Sequence, residues 1–97
     1  MGSMNLLTLH QKFKALTQYD DYTVDLILGI EIADGGLQGA VAYVNRVADY
    51  MRMHKLAESL ESVGHDPMDA LERLYDAYAS GGVTRMENMA VKMRASR

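Results

Sequence analysis

"TVDLILGIEIADGG", residues 23–36, admits two readings, and the choice between them decides the fold. Read as a strand, Val24, Leu26, Leu28, Ile30 and Ile32 alternate with Asp25, Ile27, Gly29 and Glu31, and Asp34-Gly35 supplies a hairpin-type turn. Read as a helix, the segment is apolar nearly all round and exposes only Asp25 and Glu31. Gly29 then costs about 1 kcal/mol relative to alanine unless it permits close packing. The strand needs a partner. The candidate, "LQGAVAYVN" at 37–45, carries an internal glycine and alanines, which make poor strand material, and a lone two-stranded hairpin is at best marginally stable. The partner decides for helix. The expected fold is all-α, a bundle of four or five short helices with a helical hairpin as its core. The alternative is an α fold with one small β-hairpin at 23–45.

The flanking sequence reads as helix on both sides. Leu6, Leu9, Phe13 and Leu16 recur at three- and four-residue steps, which predicts a first helix over about 5–18, with His10 at the border of its apolar stripe as a packed or surface side chain. After Gly35-Gly36, Leu37, Ala40, Val41, Val44, Val47, Ala48 and Met51 form one stripe. Met53, Leu56, Leu60 and Val63 form a second, rotated by about 120° at 100° per residue. A face change near Arg52 implies a bend, a break, or one helix serving two partners. A homodimer burying part of Tyr43, Val47, Tyr50, Met51 or Leu56 is expected on this ground.

Gly64 is read as a helix end, and Asp66-Pro67 as an N-cap followed by proline at the first helical position. Met68, Leu71, Leu74, Tyr75 and Tyr78 make the apolar face of the next helix, Ser80-Gly81-Gly82 its end, and Thr84-x-x-Glu87 a capping box for a last one. No internal repeat is apparent, so residues 4–97 are read as one helical domain behind an expression scar at 1–3.

Bulk properties narrow the function. The 97 residues are 48% hydrophobic and 24% charged, which is ordinary globular composition, and the absence of cysteine removes disulfides and thiolate metal sites. No uncharged run approaches the ~20 apolar residues of a membrane span, so a soluble, cytoplasmic protein is expected. A net charge of −3 conceals a polarity. Between Ala15 and Asn45 there are five acids and no Lys or Arg, whereas from Arg85 onward there are four basic residues and one acid.

Candidates for chemistry are thin. His65-Asp66 lacks the further ligands of a metal phosphohydrolase, and Asp66 is explained by capping. Glu58-x-x-Glu61 could share a magnesium ion on one helix face, but the second acidic pair such sites need does not follow in order. The serines have no base at recognisable spacing, and Gly35-Gly36-x-x-Gly39 has no following Lys-Ser/Thr. No catalytic residue, cofactor or metal is expected.

Two surfaces remain. Tyr19, Asp20, Asp21, Tyr22 and Asp25 make an acidic-aromatic patch suited to a protein partner with a basic surface. Arg85, Asn88 and Lys92 share a helical face that could read nucleic acid, although the preceding acids Asp69, Glu72 and Asp76 would repel phosphates. Met51, Met53, Met68, Met86, Met89 and Met93 would line either a core or an adaptable groove. The reading is a small, self-associating, non-enzymatic protein-binding module, an adaptor or inhibitor of the sort a phage or mobile element encodes to occupy a larger complex. The alternative is a nucleic-acid-binding regulator using the basic C-terminal helix.

Overall fold

The computed structural model describes residues 5–96; the expected scar at residues 1–3 lies outside them. Three helices follow one another: α1 (Leu6–Thr17), α2 (Asp21–Glu61) and α3 (Pro67–Ala95). The class is all-α, and residues 23–33 are helix, with no strand among the described residues. The expected four or five short helices are corrected to three. The reason lies in two glycines. Gly36 (φ 71, ψ −173) and Gly82 (φ 74, ψ −163) are single non-helical residues inside α2 and α3, so what the sequence pattern reads as helix, turn and new helix is a one-residue kink. Thr84 therefore lies within α3, and Glu87, the acid of the supposed capping box, is ion-paired with Arg52 instead.

Side-chain caps set the helix starts. Asn5 accepts a hydrogen bond from the Thr8 amide (2.8 Å), Asp20 from the Thr23 amide (2.8 Å) and Asp66 from the Asp69 amide (2.9 Å). Each satisfies one of the donors that a helix start leaves without an intrahelical acceptor. Gln18 ends α1 in the left-handed conformation, and beyond α2 Gly64 (φ 103) donates to the Glu61 carbonyl.

The chain divides into two compact units, residues 1–48 and 49–97. In the first, Leu9 and Phe13 of α1 pack with Val24 and Leu28 before the Gly36 kink and Ala40 and Val44 after it. In the second, Met53, Ala57 and Leu60 of α2 pack with Ala70 and Leu74 before the Gly82 kink and Met86, Ala90 and Met93 after it. Here His65 donates from Nε2 to the Met93 carbonyl (2.7 Å), which joins the start of the first α3 arm to the end of the second. Tyr50 stacks on Tyr75 and meets Tyr78 edge-on, and the Tyr78 hydroxyl donates to Asp49 (2.7 Å).

The two units are built alike, which corrects the expectation of no repeat. At a constant offset along the chain, the capping aspartates Asp20 and Asp66 correspond, as do the buried pairs Val24/Ala70, Leu28/Leu74, Ala40/Met86 and Val44/Ala90, and the kinked glycines Gly36 and Gly82. In the preceding helices Leu9 and Phe13 correspond to Met53 and Ala57 at a slightly different offset, because the connection at 18–20 is shorter than that at 62–66. The face change near Arg52 now has an internal cause. The stripe before it, with Ala40 and Val44, faces the core of the first unit, and the stripe after it, with Met53 and Leu60, faces that of the second.

Candidate functional site

The residues expected to self-associate are largely used inside the chain. Tyr43 and Val47 pack against the first core, Tyr50 and Leu56 against the second, and Met51 alone of the five is exposed. The methionines divide similarly. Met53, Met86 and Met93 are buried in the second core and build it, Met89 packs against that core and also lines a surface groove, and Met68 is exposed.

The acidic-aromatic patch comes together at the start of α2, and two of its three carboxylates, Asp21 and Asp25, are ion-paired. The stretch that lacks Lys and Arg in sequence receives His10 and Lys14 from α1, one turn apart on that helix. Lys14 donates to Asp21 (2.8 Å), and His10 reaches Asp21 through Nε2 (3.0 Å) and Asp25 through Nδ1 (2.8 Å). A neutral imidazole has one N–H, so only the imidazolium donates to both carboxylates at once. The hydrogen bond to Asp21 is the main reason the His10 pKa is raised above 6.5, with Asp25 adding to it. Asp21 is held below its ordinary value by Lys14 and then His10, and Asp20 by its bonds to Thr23. The signal for this pairing, His10 and Lys14 at i and i+4, was present in the sequence.

These shifts set a pH window. A raised histidine gives stability that is complete below 6.5 and is lost as pH rises through its folded value. Depressed aspartates give stability that is present above 3.8 and lost as pH falls through theirs. His10 is expected to titrate above 6.5 by NMR. The unfolding free energy of wild type should fall relative to His10→Gln as pH is raised from about 6 to about 8. Parallel pH profiles for the two proteins would remove the bridge.

What remains outward on the first α2 arm is apolar. Tyr22, Leu26 and Ile30, at i, i+4 and i+8, are 75%, 52% and 60% exposed, while Val24 and Leu28 face the core. Gly29 and Ala33 fall on the same outward face, and Asp25 and Asp34 lie at its margins. The corresponding residues of the second unit, at the offset that pairs the cores, are Met68, Glu72 and Asp76. In the same structural place one unit carries two acids and the other carries leucine and isoleucine. This row is not legible in the sequence, because residues 23–33 are apolar nearly all round and read as buried.

The basic alternative also assembles. Arg85, Asn88 and Lys92 line one shallow groove with Gly81, Thr84 and Met89, and Arg85 donates to Ser80 (3.3 Å). Among the described residues no group of three or more His, Asp or Glu is placed to hold a metal ion. No described helix is long and apolar enough to cross a membrane. Comparison with family models, curated proteins and solved structures yields no match.

Proposed function

We propose that the chain works by protein–protein contact and not by chemistry, as a small cytoplasmic adaptor or inhibitor of a larger complex, and that the outward face of the first α2 arm makes the contact. The observation that carries this is the row Tyr22, Leu26 and Ile30, turned to solvent at a place where the second unit has Glu72 and Asp76. Contiguous apolar rows of this kind on a small domain mark interaction surfaces. Asp20, Asp21 and Asp25 sit beside it and favour a partner with a basic surface. Because Lys14 and His10 already match two of them, their role is orientation and rate of encounter more than affinity.

A second reading, nucleic-acid binding, is favoured by the groove that gathers Arg85, Asn88 and Lys92. The acids Asp69, Glu72 and Asp76 of the same unit oppose it. One experiment separates the two. Partner capture and gel shift are run on Leu26→Glu and on Arg85→Ala with Lys92→Ala across a salt series. Contact through α2 predicts that Leu26→Glu abolishes capture while the basic pair leaves it intact. Tight, salt-sensitive DNA or RNA binding lost with the Arg85/Lys92 variant would replace the first reading with the second.

A further inference from the structure

We infer that the groove lined by Arg85, Asn88 and Lys92 holds a short acidic segment of a protein, its carboxylates received by the two cations. It is a second surface, and its occupancy does not depend on the α2 contact.

Gly81 has no room for a side chain. A Cβ built on it would lie 2.7 Å from the Cβ of Arg85 and 2.8 Å from its Cδ and Nε, so the arginine stem fills the space that a residue at 81 would need. The same kink is built without this arrangement in the first unit. At the offset that pairs the two cores, Gly35 corresponds to Gly81, Gly39 to Arg85 and Ala42 to Asn88, and a Cβ on Gly35 meets nothing within 4 Å. The fold therefore needs neither Arg85 nor Asn88. The second unit carries a guanidinium and a carboxamide on an exposed face where the first has neither, and Lys92 alone has a charged counterpart, Arg46.

Both cations are available. Among the described residues Lys14, Arg52 and Arg73 are ion-paired with carboxylates, whereas Arg85 donates to the Ser80 hydroxyl (3.3 Å) and neither it nor Lys92 forms an ion pair. They lie two helical turns apart, about 10 Å along the axis, with Asn88 between them and Met89 beside. That spacing suits two or three carboxylates of one segment, and a planar guanidinium can grip a carboxylate through two parallel bonds.

The surroundings favour a peptide over nucleic acid. Proteins that hold nucleic acid through its phosphates use many cations, about 6–10 for strong binding, and this groove has two. Asp76 shares the adjoining groove with Arg85, where Arg73 is already paired with Asp69, and Glu72 lies on the same arm of α3. A long polyanion leaving the site on that side meets carboxylates. A short acidic segment ends before them.

Capped hexaglutamate is the probe, titrated into the full chain at pH 7 and low salt and followed by amide NMR. Hexaglutamine and a heptathymidylate of equal charge serve as comparisons. Hexaglutamate should give saturable shifts centred on residues 84–92, and hexaglutamine none. Arg85→Ala and Lys92→Ala should each weaken binding at least ~3-fold, and Arg85→Glu with Lys92→Glu should abolish it. All three residues of the groove are exposed, so melting temperatures should stay near that of wild type. Arg46→Ala, the counterpart in the first unit, should leave binding unchanged. No saturable shift at 84–92, binding that survives the double charge reversal, or equal loss in Arg46→Ala would overturn the inference. Heptathymidylate bound more tightly than hexaglutamate, and lost with the Arg85/Lys92 variant, would overturn it in favour of nucleic acid.

Discussion

Replacing Phe13 with alanine is expected to cost about 3–5 kcal/mol, a large part of what a domain of this size has to lose. Phe13 is 1% exposed and packs with Leu9, Val24 and Leu28, with Tyr43 (5.9 Å between ring centroids) and Tyr19 (6.2 Å) against its ring. Its removal leaves a cavity that the surrounding helices fill only in part. Leu26→Ala, two residues from Val24 on the same helix, is expected to change the stability of the dilute monomer by no more than about 0.5 kcal/mol, as surface substitutions do. Urea unfolding at low protein concentration measures both. Equal costs would mean that the first α2 arm is buried all round, and the outward row would not exist.

The second large effect separates glycines by conformation. Gly36 and Gly82 combine φ near +70° with an extended ψ, a region that residues with a Cβ almost never occupy, so alanine at either should cost about 1–3 kcal/mol. Gly29 is helical with open space where a Cβ would sit, so alanine there should stabilise the monomer by up to about 1 kcal/mol. Thermal melts of the three variants check the signs. A Gly82→Ala protein as stable as wild type would mean that α3 does not turn at that residue.

Much of the fold is legible in the sequence because period and caps are local. The poor strand quality of 37–45 settles the helical character of 23–33, and Asp66-Pro67 marks the start of α3. The number of helices is not legible, since Gly35-Gly36 and Gly81-Gly82 look the same whether they open a loop or kink a helix at one residue. The repeat escapes for a related reason. Asp20/Asp66, Leu28/Leu74, Ala33/Ala79 and the glycine pairs are shared, but other core pairs such as Ala40/Met86 and Val44/Ala90 match only in being apolar. The unequal connections at 18–20 and 62–66 shift the register as well. The acidic patch is legible, but the pairing of Asp21 and Asp25 with Lys14 and His10 is not, because that depends on α1 lying beside the start of α2. The apolar row was hidden by its own composition: a helix apolar on every side reads as buried, and only the structure shows which of its faces the chain itself covers.

The proposed contact surface is the row Tyr22, Leu26 and Ile30, exposed on the first α2 arm. Solvent paramagnetic relaxation of the methyl groups, followed by NMR on the free chain, is the test, with the buried Leu28 and Leu74 as references. Leu26 and Ile30 are expected to be as accessible as surface residues in the free chain, while the references are protected. Leu26 and Ile30 methyls protected like Leu28 in the free chain would contradict it.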